Sequence, residues 1–151
     1  MPVTVESIHE PNAEDWADLL KIYRDDPHFT GAPDAIEAHL RNHLDDPEMQ
    51  LYGGRFNGRL LAAMAVRTSG DEWCLSDLCV RSITRRRGVA RSMITALERN
   101  ANRAGITISA TIGSEDTALL QLARKAGFQV RQLVPPTQLA LERHPRGAAN
   151  A

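Results

Sequence analysis

Apolar residues recur along the chain with two periods, and the switches between them mark out the elements. Val3–Ile8 reads as a short first strand. Asn12 is a helix-capping residue type, and after it Trp16, Leu19, Leu20 and Tyr23 return at helical spacing until Asp25-Asp26-Pro27 stops the run. A second helix is predicted over Pro33–Leu44, with Ile36, Leu40 and Leu44 on one face and Asp45-Asp46-Pro47 at its end. Met49–Phe56 and Arg59–Thr68 read as strands joined by Asn57-Gly58, a strong hairpin signal. Ser69-Gly70-Asp71 turns the chain into a strand over Trp73–Val80. Helical spacing returns over Gly88–Ala104, placing Val89, Met93, Ala96, Leu97 and Ala104 inward, and Gly105 caps that helix. Ile106, Ile108, Ala110 and Ile112 alternate as a strand. Asp116 caps a last helix that Gly127 ends, and Phe128–Leu133 and Gln138–Arg143 form a closing pair of strands across Pro135-Pro136. The order is β-α-α-β-β-β-α-β-α-β-β, one domain over residues 1–144, with no internal repeat and a loose tail over 145–151.

One junction in this pattern carries chemistry. Leu75–Ala90 joins a strand to the turn Arg85-Arg86-Arg87-Gly88-Val89-Ala90, which opens a helix. The first N–H groups of a helix lack internal partners, and with the positive end of the helix dipole they suit a phosphate. Gly88 and Ala90 let an anion approach the backbone, and three arginines add cationic donors. The same arginine run also fits a solvated face or a nucleic-acid patch. The glycine spacing is neither that of a dinucleotide-binding fingerprint nor that of a P-loop.

Composition narrows these readings. The 151 residues are 42% hydrophobic and 25% charged, in the range of one soluble domain with its own core. The formal net charge of −1 argues against a general nucleic-acid binder, and the positive charge gathers locally over Arg81–Arg91. Cys74 and Cys79 lie five apart on one predicted strand and so face opposite sides, which implies free thiols and a cytoplasmic setting. Met1–Glu10 does not read as a signal peptide, and no apolar run reaches membrane-spanning length, so no membrane role is expected. His39 and His43 stand at i,i+4, but no third ligand presents itself in the sequence and HLRNH is not a zincin motif, so no metal is expected. His9, His28 and His144 fall in segments that promise no chemistry.

The spacing from Val80 through Arg85-x-x-Gly88-x-Ala90 resembles the acetyl-CoA signature of the GCN5-related N-acetyltransferase (GNAT) superfamily. Asp116–Phe128, DTALLQLARKAGF, resembles that family's second signature, a helix closing in Gly-Phe. The resemblance implies an α/β GNAT fold, a mixed central sheet of about six or seven strands flanked by about four helices. Central strands splayed near Val80 and Ile112 would form the cleft for acetyl-CoA or CoA. It further implies that Leu78, Cys79 and Val80 face the pantetheine arm. Thr84, Arg85, Arg86, Arg87, Gly88, Val89, Ala90 and Arg91 would then hold the pyrophosphate. The position of the acid tyrosine used by many members is Ala123, and both Tyr23 and Tyr52 are distant in sequence. Asp77 is the remaining candidate base, with a pKa raised by the cleft, beside the plain reading of a strand-face aspartate. Catalytic residues therefore stay unassigned.

A narrower resemblance covers Tyr52–Asn100. Arg55-Phe56-Asn57, Arg59-Leu60-Leu61-Ala62-Ala63 and Thr84-Arg85-Arg86-Arg87-Gly88-Val89 are similar to the aspartate 1-decarboxylase maturation factors, a GNAT-fold family that senses acetyl-CoA. The resemblance implies binding to the aspartate 1-decarboxylase zymogen, promotion of its self-cleavage to the pyruvoyl form, and control of pantothenate synthesis by CoA supply. Arg55, Asn57 and Arg81 are then the candidate partner contacts, although Asn57 also has plain turn chemistry to explain it. Relative to that family, the segment Arg24–Glu48 is additional. The alternative function is an N-acetyltransferase acting on an unidentified amine, with Asp77 or a bound water as base.

Overall fold

Asn12 begins the first helix as its sequence predicts. Its side chain accepts from the Asp15 N–H at 2.8 Å, and the Asp15 carboxylate accepts in return from the Asn12 N–H, a reciprocal cap. The computed structural model describes residues 3–26, 32–68, 70–84, 88–133 and 138–145. Arg85, Arg86, Arg87, His28, Pro135-Pro136 and the tail beyond 145 lie outside the described residues. The elements are β1 (Thr4–Ile8), α1 (Ala13–Arg24), α2 (Pro33–Asp45), β2 (Met49–Phe56), β3 (Arg59–Arg67), β4 (Glu72–Val80), α3 (Val89–Ala104), β5 (Thr107–Gly113), α4 (Thr117–Lys125), β6 (Gln129–Gln132) and β7 (Gln138–Arg143). A 3-10 turn, Ser82–Thr84, was not foreseen; it closes through the Thr84 N–H and Oγ1 on the Arg81 carbonyl.

The strands form one seven-stranded sheet in the order β1-β2-β3-β4-β5-β7-β6, antiparallel except between β4 and β5. This mixed sheet with its flanking helices is the architecture of the GNAT fold. Strand β3 is an interior strand, paired to β2 and β4 and buried on both faces, which is why Leu60–Val66 reads as a continuous apolar run. Met64 and Val66 join Met93, Leu97 and Ile108 in one core, under α3. Leu60 and Ala63 join Leu19, Ile22, Tyr23, Ile36 and Leu40 in the other, under α1 and α2.

Two inward sets differ from expectation. In α3 the buried row runs Val89, Met93, Leu97 and Ala101 at four-residue steps, with Ile94 beside it. That row drifts off Ala104, which is exposed at the helix end, and Ala96 is only half-buried. In α1, Trp16 and Leu20 are half-buried, while Ile22 and two acids, Asp15 and Asp18, are buried with Leu19 and Tyr23. The guanidinium of Arg41 covers Trp16, 4.6 Å from its ring centroid.

Arginines from the β2–β3 hairpin make the buried acids tolerable. Arg59 donates from Nε and Nη2 to the two oxygens of Asp18, and the Leu60 N–H adds a third hydrogen bond at 3.1 Å. Arg55 reaches Asp15 at 3.0 Å, Glu6 at 2.6 Å and the Gly58 carbonyl at 2.9 Å. Helix α1 is thereby clamped to the hairpin. Burial pushes the Asp18 carboxyl up, but the bonds from Arg59 and Leu60 outweigh it and hold the group below its ordinary value of 3.8. On acidification the unfolded carboxyl takes up its proton before the folded one does, so the clamp's stabilisation is present above that value and fades below it. The urea midpoint of wild type minus that of Asp18→Asn is expected to shrink as pH falls below 3.8. A difference independent of pH over that range would contradict the clamp.

No helix among the described residues is long and apolar enough to cross a membrane.

Candidate functional site

Strands β4 and β5 run together only briefly. Their parallel pairing covers Glu72↔Thr107 to Leu75↔Ala110, and beyond it the two strands part, β4 staying with β3 and β5 with β7. Where they part, β4 carries an extra residue. Ala65 opposes Ser76 and Ala63 opposes Cys79, so Asp77 and Leu78 together face Met64. Asp77 takes a left-handed backbone, φ +55°, a strained conformation for a residue with a side chain. The Tyr23 hydroxyl donates to the Asp77 carbonyl at 2.8 Å and braces this bulge. Tyr23, distant in sequence, is therefore adjacent to the cleft strand, and burial pushes its hydroxyl well above the usual tyrosine range.

The parted strands line two cavities. One, about 540 Å³, is lined by Leu78, Cys79, Val80, Thr84, Gly88, Val89, Ala90 and Arg91, facing Leu119 and Leu122 of α4. These are all the described residues of the predicted cofactor set, brought to one surface. The other cavity, about 290 Å³ and mostly apolar, lies between Leu75–Leu78, Ala110–Gly113 and the wall formed by Ala123, Phe128 and Leu141. Ala123 presents only a methyl group there.

The start of α3 forms the mouth of the larger cavity. Gly88 is its N-cap at φ +79°, and space beside it is open, so the backbone turn rather than crowding requires glycine. No side chain caps this end and its first turn holds no acid, so the amides following Gly88 remain available. This helix start carries Arg91 and no acid in its first turn, a local setting whose electrostatics favour negative charge.

The candidate partner residues lie at the same end of the sheet. Ala62 pairs with Val80, so the hairpin tip, four to five positions further back along β3, overhangs the end of β4. Asn57 and Gly58 form the tip with φ +51° and +80°, and Asn57 is exposed. Arg55 stands behind the tip in the acceptor set described above. Arg81 sits just past β4, its Nε buried without a hydrogen bond and 3.8 Å from the Asp25 carboxylate. Next to it Ile83 is exposed, the one large apolar side chain left in solvent among the described residues.

A further group went unread in the sequence. His39 and His43 of α2 both place Nε2 on one oxygen of Asp77, at 2.7 and 2.9 Å. The third polar partner that the histidine spacing lacked in sequence is Asp77, on β4. Burial pushes the Asp77 carboxyl up, yet the two histidines outweigh it and the group titrates below its ordinary value. The raised pKa expected for a cleft base is thus corrected. The i,i+4 spacing was the available signal, but its partner lies 34 residues beyond His43. Cys74 is exposed and Cys79 buried, both as free thiols.

Known proteins resemble the chain at two levels. Residues 2–132 match the family model described as the acetyltransferase (GNAT) domain, PanZ. The PanD regulatory factor of Escherichia coli (strain K12) is 32% identical over 133 residues, 87% of this chain and 95% of that protein. Its counterpart of the same name in Salmonella typhimurium (strain LT2) is 31% identical over 129 residues, 85% of this chain and 92% of that protein. In fold, the chain is similar to the PaiA N-acetyltransferase from Thermoplasma acidophilum in complex with coenzyme A, with a TM-score of 0.71 and 11% identity over 95% of this chain and 99% of the other.

Proposed function

The chain belongs to the PanZ family of acetyltransferase (GNAT) domains, and from that membership we propose that it is an acetyl-CoA-binding regulator of PanD, the aspartate 1-decarboxylase. The observation that carries this reading is the 32% identity that spans nearly the whole of the E. coli PanD regulatory factor. Cavity geometry supports the ligand. The pyrophosphate of acetyl-CoA sits on the α3 amides after Gly88 beside Arg91, and the sequence Arg85-Arg86-Arg87 supplies further cations for it. The pantetheine arm runs along Leu78, Cys79 and Val80, in the cavity they line. The acyl end points toward the smaller, apolar cavity.

Proximity of the hairpin tip to that cavity supports a mechanism by population shift. Acetyl-CoA orders the cleft and the adjacent hairpin, and the decarboxylase zymogen reads the combined face of Asn57, Arg81 and Ile83, with Arg55 positioning the tip. Acetyl transfer to an amine is the less favoured reading. The two histidines lower the proton affinity of the Asp77 carboxylate and so weaken it as a base, and Ala123 has no proton to give.

The direct assay follows conversion of the host's decarboxylase zymogen to its pyruvoyl form. Conversion accelerated by this protein and acetyl-CoA together supports the reading, and an unchanged rate rejects it. The hairpin is tested by Asn57→Gly, which keeps the left-handed turn and removes only the side chain. Zymogen affinity is expected to fall at least about tenfold, roughly one lost interfacial contact of 1.4 kcal/mol, with acetyl-CoA affinity unchanged. Equal zymogen affinity would leave Asn57 a turn residue only.

A further inference from the structure

Independently of the regulator reading, the geometry points to a divalent transition-metal site formed by His39, His43 and Asp77. The three ligand atoms lie within 4.8 Å of one another. Both histidines project from one face of α2 because residues four apart are neighbours on a helix, and their rings stand edge to face with centroids 4.5 Å apart. Asp77 joins them because of the bulge. Its left-handed backbone points the carboxylate out of the sheet toward α2, and the Tyr23 hydroxyl fixes the adjoining carbonyl. A site preorganised from two elements, with its strained residue braced from behind, is the arrangement that metal coordination requires.

The donor set selects the ion. Two imidazoles and one carboxylate suit Zn2+ and its first-row neighbours, whereas Ca2+ and Mg2+ demand mostly oxygen ligands. Three protein ligands leave a fourth position open to water or to an exogenous group. Side-chain exposures of 42% for His39, 16% for His43 and 21% for Asp77 give an ion a route in. Ligands placed about 2.0–2.1 Å from a tetrahedral ion stand roughly 3.3 Å apart. The two Nε2 to Oδ2 separations of 2.7 and 2.9 Å therefore widen by about half an ångström, and the histidine pair, within 4.8 Å, adjusts to the same spacing. Each ring then carries its proton on Nδ1 and offers the Nε2 lone pair to the metal. Because Asp77 also lines the smaller cavity, the ion would tie α2 to the wall of the cleft.

The test uses the full chain without a histidine tag, titrated with Co2+ followed by its visible absorption, and with Zn2+ in competition. One ion per chain is expected. His39→Gln and His43→Gln should each weaken binding by more than about 100-fold, and Asp77→Asn likewise, beyond the range seen for supporting partners alone. His9→Gln, His144→Gln and Cys74→Ser should leave it unchanged. His39 is half-exposed, so its variant keeps the fold, verified by an unaltered circular dichroism spectrum. Absence of binding, binding retained in the His39→Gln/His43→Gln double variant, or binding lost in Cys74→Ser would each overturn the site.

Discussion

Replacing Arg85, Arg86 and Arg87 together by alanine is expected to lower acetyl-CoA affinity by about 100-fold while leaving the fold intact. A charge-assisted hydrogen bond contributes about 1.5–3 kcal/mol when sheltered and less at an open surface, so three guanidiniums at about 1 kcal/mol each supply roughly 3 kcal/mol between them. At 1.4 kcal/mol per decade that is about two orders of magnitude. The amides after Gly88 stay in place in the variant because the left-handed cap and the buried Val89 hold the helix start. Residual binding should therefore persist, and it should be less sensitive to salt, since fewer cations meet the phosphates. Isothermal titration at two ionic strengths reads both effects. Unchanged affinity would remove the pyrophosphate from this turn.

Asp18→Ala is expected to be the most destabilising single change on the hairpin side, by about 2–4 kcal/mol. The substitution orphans the buried Leu60 N–H and leaves Arg59 without its bidentate acceptor. Breaking a buried charge pair by removing one partner costs about 3–5 kcal/mol, and the half-exposed Arg59 reduces that figure. For a chain of this length the thermal midpoint should fall by roughly 5–15 °C. Arg59→Ala should cost less than Asp18→Ala, although it leaves the acid buried, because the Leu60 N–H still bonds the carboxylate. A loss below 1 kcal/mol for Asp18→Ala would show that the clamp is not what holds α1 to β3.

Strand positions were legible because turn chemistry is local. Asn57-Gly58, Gly88, Gly105 and Gly127 all adopt the left-handed backbone, and each stands at the end of an element the sequence predicted. The cleft residues were legible for the same reason: Leu78 to Arg91 are nearly contiguous, so one motif places them all. What escaped depends on distant partners. Nothing local marks Asp15 and Asp18 as buried, because Arg55 and Arg59, which neutralise them, lie about forty residues on. The histidine pair read as surface residues because the carboxylate between them comes from another element, through a bulge that alternation cannot foresee. Ala104 read as inward because a helix's buried stripe drifts, and a tally of apolar residues does not register drift.

The central claim, that acetyl-CoA switches this chain into a state that engages the decarboxylase, is tested most directly by calorimetry. The host's decarboxylase zymogen is titrated with the purified protein, once with saturating acetyl-CoA and once without. The account predicts a tight complex in the first titration and at least about tenfold weaker binding in the second, the coupling expected of two linked sites. Equal affinity in both would contradict it, as would acetyl-CoA binding to the protein alone with no complex formed in either.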